Sequence, residues 1–303
     1  MPLFKARKRP KISIVVAFYN MRREAARTLH ALTTSYQADI DIDDYEVIAV
    51  DSNSTEPLEQ GAVESLQRNF SYHYVTSDAP TPNRAMNHGI SLARAPLVMC
   101  IIDGARIPTP KAIRRSIDSE RHFGPSYSMT LGMHLGPDLQ CRSLVDGYCQ
   151  TVEDALLDTV DWMHNGYELY RIAALADSSK GGFFGPLAEC NCFTVPARAL
   201  EDIDGFDERF RSSGGGLINL HVHNQLILHA DLRPVMLLGE ASFHQFHGGV
   251  ATNVPLAEHP FQQYAAEYEA LLGKRFASQW REPLYYGTLA DQARPFLYIP
   301  GAG

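Results

Sequence analysis

Ile12-Ser13-Ile14-Val15-Val16-Ala17-Phe18-Tyr19-Asn20 is a nearly unbroken apolar run that stops at a polar pair. Such a run, rich in β-branched residues, reads as a strand buried on both faces, the kind found in parallel sheets. The pattern returns downstream. Tyr45 to Val50 ends at Asp51-Ser52-Asn53, Tyr72 to Val75 is a shorter strand, and Leu97 to Ile102 ends at Asp103-Gly104. Between these runs, Met21, Ala25, Leu29 and Leu32, then Leu58, Ala62 and Leu66, then Met86, Ile90 and Ala93 recur at helical spacing. Strand and helix in alternation predict an α/β fold, a Rossmann-like and mostly parallel sheet flanked by helices. In open sheets of this type ligands bind beyond the carboxyl ends of the strands. Tyr19-Asn20, Asp51-Ser52-Asn53 and Asp103-Gly104 are therefore expected to line one crevice.

The second half is less regular. Val152, Leu156, Val160 and Met163 predict a helix, Ser178 to Gly185 a Gly/Ser-rich loop long enough to move, and Leu187 to Val195 a strand. Ala197 to Ile203 reads as a short helix, followed by a Gly205-Phe206-Asp207 turn. Gly214-Gly215-Gly216 precedes a helix through Leu228, and Pro234 to Leu238 is a late strand. No repeat or low-complexity linker divides the chain. The expected organisation is a basic tail over residues 1–10, one domain over 11–260, and a helix with an irregular tail over 261–303.

Composition narrows the partners. The net charge is −8, and the basic residues form no long block, so nucleic acid is not expected. No run approaches the roughly 20 apolar residues of a spanning helix, which leaves at most peripheral contact of the basic tail with a membrane. Five cysteines without a paired framework suggest packing roles in a reducing compartment, hence a cytoplasmic location.

Several residues are candidates for chemistry. Asp103, at a strand end before glycine, either holds a divalent cation or caps its turn. His244 and His247 lie three apart beyond a strand; on extended chain the rings would diverge, so one ligand or a purely structural pair is expected. Glu189, beside the glycine loop, is a general base if it faces the crevice and otherwise a surface acid. Arg84 either meets a phosphate or is solvated.

In this order the pieces resemble family-2-type glycosyltransferases of the GT-A fold. The resemblance rests on Ile12 to Asn20, on Val50-Asp51-Ser52-Asn53-Ser54-Thr55, on Ala85-Met86-Asn87-His88-Gly89, and on Gly205-Phe206-Asp207-Glu208. It implies a nucleoside diphosphate sugar donor, a UDP-sugar by preference, bound by Ala17, Tyr19, Asn20, Asp51, Asn53, Arg84 and Gly104. Tyr19 would flank the base and Asp51 would accept from the uracil ring N–H. It also implies Mn²⁺ or Mg²⁺ on Asp103 with His244 or His247, an irregular second half that completes the acceptor side, and a glycan or lipid-linked saccharide as acceptor in polysaccharide biosynthesis. Two departures stand out. Ala105 takes the place of the carboxylate that usually closes the D-x-D motif, and Gly216-Leu217-Ile218-Asn219 replaces the Glu-Asp that usually follows the glycine segment. Three consequences stay open: Glu189 is the base, the enzyme is retaining, or the chain binds nucleotide sugar without catalysis. A metal hydrolase built on the two histidines is a further rival that lacks a third ligand.

Overall fold

The computed structural model describes residues 9–297; most of the expected basic tail and the last six residues lie outside them. The opening run forms β1 (Ile12–Phe18), buried at every position as an interior parallel strand must be. There follow α1 (Arg22–His30), β2 (Tyr45–Ser52), α2 (Gln60–Leu66), β3 (Phe70–Val75), α3 (Asn83–Leu92) and β4 (Leu97–Ile101). β1 runs parallel to both β2 and β4, and β2 parallel to β3. The chain thus steps outward from β1 through β2 to β3 and returns to the other side of β1 with β4. That reversal places the switch point of the sheet between β1 and β4, where a crevice must open.

The remaining elements are β5 (Arg106–Pro108), α4 (Ala112–Phe123), β6 (Ser126–Leu135), α5 (Gln140–Ser143), α6 (Gln150–Leu157), β7 (Ala173–Leu175), β8 (Cys192–Pro196), α7 (Ala197–Asp202), α8 (Ile218–Ile227), β9 (Arg233–His244), α9 (Phe261–Leu272) and β10 (Leu284–Gly287). The sheet order is β10-β9-β6-β8-β4-β1-β2-β3, with β5 on β9 and β7 on β6. β8 is antiparallel to both of its neighbours, whereas β6 and β9 run parallel to each other. Helices cover both faces. One core lies under α1, α2 and α4, the other under α3, α7 and α8.

Two sequence motifs prove to be a single joint. Asn87 of α3 donates to the Phe206 carbonyl at 2.8 Å and accepts the Phe206 N–H at 2.9 Å. Gly205 sits beside it with φ +66°, and a Cβ there would lie 2.7 Å from Asn87 Oδ1. Gly89, two residues further on, lets α3 press onto the sheet: a Cβ would lie 2.3 Å from Val15 Cγ1.

The structure corrects several expectations. The strand expected from Leu187 begins only at Cys192, because residues 187–191 turn along the crevice. The helix expected to reach Met163 ends at Leu157. The late strand runs on to His244. The glycine loop is not free to move: Phe183 is fully buried, and the N–H groups of Phe183 and Phe184 each donate at 2.9 Å to Phe296 and Leu297 carbonyls. Those carbonyls belong to the expected irregular tail, which also adds β10 to the sheet beside β9.

Candidate active site

A cavity of about 1330 Å³ opens at the carboxyl ends of β1 and β4. It is larger than most small-ligand pockets, which run to about 1,000 Å³. Tyr19, Asn20, Ser52, Asn53 and Asp103 all line it, as the strand-end argument requires. Asn20 and Asn53 take positive φ, and their amides lock the two loops together and to their neighbours. Asn20 Oδ1 accepts from Thr55 N at 2.8 Å, and Asn53 Oδ1 from Ser77 N at 3.0 Å. Tyr19 is left half-exposed as a ring on the cavity wall.

Asp103 caps its turn and also faces two histidines. Its Oδ1 accepts the Ala105 N–H at 2.9 Å, capping the turn, while its Oδ2 lies 2.8 Å from His244 Nε2 and 3.6 Å from His247 Nε2. The two histidine nitrogens are 3.1 Å apart. The expectation that the rings diverge is wrong, because extended chain ends at His244 and the following turn swings His247 back. One ligand atom from each of Asp103, His244 and His247 lies within 4.8 Å of the others.

This donor set fits a cation. Gln140 Nε2 donates to the His244 carbonyl at 3.0 Å, which fixes its amide so that Oε1 faces His244 Nδ1 at 2.8 Å as an acceptor. His244 must therefore carry its proton on Nδ1, leaving the Nε2 lone pair pointed at a carboxylate oxygen. Burial keeps this imidazole neutral, pushing its pKa down to about 4. Burial would also raise the Asp103 carboxyl, but the neighbouring His247 outweighs it and holds Asp103 well below the usual carboxylate range. Two acceptors facing each other at 2.8 Å are suited to a shared divalent ion. The turn bearing His247 is itself gathered by Asn253, whose Oδ1 accepts the N–H groups of His247, Gly248 and Gly249.

Glu189 also lines the cavity. Burial pushes its carboxyl up, against the pull of Arg106, Asn191 and Ser178. Where the Glu-Asp pair would stand, Leu217 and Asn219 face the cavity, and Asn219 donates to Asn191 at 2.8 Å.

Residues 13–119 match the sequence model of glycosyl transferase family 2. This segment is a family-2 glycosyltransferase domain. The chain also resembles TarS 1-349 of S. aureus in complex with UDP-GlcNAc, with a TM-score of 0.53 and 14% identity, over 90% of this chain and 68% of that one. That likeness shows the GT-A fold. TarS 1-349 in complex with UDP is matched at a TM-score of 0.46 and 13% identity, over 78% of this chain and 58% of that chain. The mannosyltransferase PcManGT from Pyrobaculum calidifontis in complex with GDP-Man and Mn²⁺ is matched at a TM-score of 0.46 and 15% identity, over 92% of this chain and 69% of that chain. This chain spans 41% of a further TarS structure. No curated protein matches the sequence. Glycosyl transfer is the activity of the family.

Three of the expected nucleotide contacts fall outside the cavity lining. Asp51 is 1% exposed, and its Oδ2 accepts the Leu58 N–H at 3.0 Å, because the loop after β2 folds over it. Arg84 points to solvent while its neighbour Ala85 faces inward, as helical periodicity requires. Gly104 packs on Phe18 and donates to the Ala17 carbonyl at 2.8 Å; Ala17 does line the cavity. Ala105 is turned fully into the helix-side core, so the next side chain to reach the cavity is Arg106. Arg106, His134, Gln140 and Asn253 carried no sequence signal, since each acquires its place only through strand pairing or loop closure. All five cysteines are free; Cys141 lines the cavity and Cys149 is exposed, so neither is a packing residue. Among the described residues no helix is long and apolar enough to cross a membrane.

Proposed function

We propose that this chain transfers a sugar from a nucleoside diphosphate, a UDP-sugar by preference, to a hydroxyl of a glycan or lipid-linked saccharide, with a bound Mn²⁺ or Mg²⁺. The observation that carries this reading is the meeting of Asp103, His244 and His247, of which Asp103 and His247 line the cavity and His244 is buried behind them. Tyr19, Asn53 and Glu189 line the same cavity. Asp103, His244 and His247 would hold the ion, whose charge would offset that gathering on the departing diphosphate. Tyr19 supplies a face for the base, and Asn20 and Asn53 hold the loops that frame it. Glu189 is the acid placed to take the acceptor hydroxyl proton, which gives an inverting outcome.

The cavity-facing Leu217 and Asn219 favour a second reading, a binding protein without turnover. A screen of nucleotide sugars by thermal shift, followed by a donor-hydrolysis assay with and without Mn²⁺, tests both. Stabilisation by a UDP-sugar with release of sugar supports the transferase. Stabilisation without any turnover selects the binding protein, and no stabilisation by any nucleotide sugar rejects both.

A further inference from the structure

Arg106 is a buried cation in the cavity wall to which the reading above gives no task. Arg106 is 5% exposed and lines the cavity, and its side chain makes no hydrogen bond or ion pair with any described residue; its Nε is buried without a partner. Its position follows from the strand register. Arg106 lies opposite His244 across the antiparallel β5–β9 pair, and His134 of β6 lies opposite His244 on the other side. Paired residues project to the same face of a sheet, so Arg106, His244 and His134 form a row with the candidate metal ligand in the middle. Its charge reaches the cavity's working groups, including Glu189, His244 and His247. His134 accepts the Gln140 N–H on Nδ1 at 3.2 Å, and burial with the nearby His244 and Arg106 keeps it neutral, so it offers an Nε2–H donor to the same floor.

A guanidinium taken from water without an anion beside it is costly, and a native chain retains one where an anion arrives to pair with it. We propose that Arg106 is a binding residue for an oxyanion of the sugar donor, next to the cation position at Asp103, His244 and His247. The inference rests on the transferase reading above and adds a residue to it. Two sources supply an oxyanion: the β-phosphate of the donor, or a carboxylate on the transferred sugar. In the transfer, the acceptor oxygen bonds to the anomeric carbon and gives its proton to Glu189. The bond from that carbon to the diphosphate breaks, and its electron pair stays on the diphosphate oxygen. A fixed guanidinium at that oxygen stabilises the growing charge. Ala105, turned into the core, leaves this place to Arg106, so part of the diphosphate's charge is met by the chain itself.

The test is calorimetry in chelator on wild type, Arg106→Gln and Arg106→Met, with uridine, UDP, inorganic pyrophosphate, UDP-glucose and UDP-glucuronate, alongside melting curves. Loss of a charged hydrogen-bond donor lowers affinity about tenfold or more. The expected result is that loss for UDP and pyrophosphate with uridine unchanged, in variants that melt at or above the wild-type temperature because an unpaired buried charge has gone. If the sugar carboxylate is the source, the loss instead appears only for UDP-glucuronate. Equal affinities for all five probes in wild type and both variants would overturn the proposal, as would unfolding of both variants, which would make Arg106 a structural residue. Wild type that binds pyrophosphate through Arg106 but no nucleotide would leave the anion site standing and reject the nucleotide-sugar reading.

Discussion

Gln140 Oε1 lies 2.8 Å from His244 Nδ1 and 2.9 Å from Asn253 Nδ2, so one buried oxygen orients a candidate metal ligand and the loop that carries its partner His247. Gln140 touches neither the cation position nor the sugar donor and acts through these two residues. Gln140→Ala frees the His244 ring to take either tautomer. Outer partners of metal-bound histidine commonly contribute about 10- to 100-fold in affinity. The expected result is a drop of that order in Mn²⁺ affinity measured with UDP present, while UDP affinity in chelator stays unchanged. An unaltered Mn²⁺ titration would remove Gln140 from the site.

The three ligand atoms of Asp103, His244 and His247 leave half the positions of a six-coordinate ion to other oxygens. Metal and nucleotide are therefore expected to bind cooperatively, each weakly alone. Asp103→Asn, His244→Ala and His247→Ala should each abolish the enhancement of UDP binding by Mn²⁺ and spare the binding seen without it. Titration of UDP with and without Mn²⁺ reads this directly; equal UDP affinity under both conditions in wild type, with full activity in chelator, would show that Asp103 only caps its turn.

Glu189→Gln keeps the shape of the side chain and removes its basicity. Turnover is expected to fall about a hundredfold or more, the usual scale of general-base loss, with donor affinity nearly intact. Turnover within about threefold of wild type would assign the base elsewhere and favour a retaining route.

Gly89→Ala tests the packing of α3 on β1. The added methyl would meet Val15 Cγ1 at 2.3 Å, and overpacking of this kind costs about 1–3 kcal/mol. Urea denaturation should show a lower midpoint with an unchanged slope. An unaffected midpoint would mean that α3 shifts freely on the sheet.

His223 gives the fold an acid limit. It is 1% exposed, its Nδ1 lies 2.8 Å from the Tyr127 hydroxyl, and burial pushes its pKa down to about 4. Unfolding exposes it to water, where it titrates near 6.5, so between these values the unfolded chain binds the extra proton. Its share of stability is complete above about pH 6.5 and shrinks as pH falls, by about 3 kcal/mol at pH 4. His223→Gln should flatten this part of the stability–pH curve measured by denaturant titration; an identical slope in both proteins would exclude His223 as its source.

The first half of the fold was legible in the sequence because its strands are buried on both faces. Ile12 to Phe18, Tyr45 to Val50 and Leu97 to Ile101 are apolar at nearly every position, and helical spacing between them leaves one arrangement, a parallel sheet with a crevice at its switch point. That same logic brought Tyr19, Asn53 and Asp103 together before any coordinates. The second half offered no such period. β6 and β9 interleave polar residues such as Ser128, Thr130, His134, Glu240 and His244, each buried and satisfied or aimed at the cavity only once its neighbours are in place. A polar residue gives no sign in sequence of whether it will be solvated or sealed in. Tertiary structure alone decided that Asp51 is covered by the Leu58 loop, that Phe296 and Leu297 pin the glycine loop, and that His247 folds back onto His244. The sequence by itself determined the strands and the mouth of the site, because burying apolar surface is a local demand repeated along the chain. Which polar groups meet inside depended on strand register and loop closure, which join residues as far apart as Asp103, Gln140 and His244 and leave no local trace.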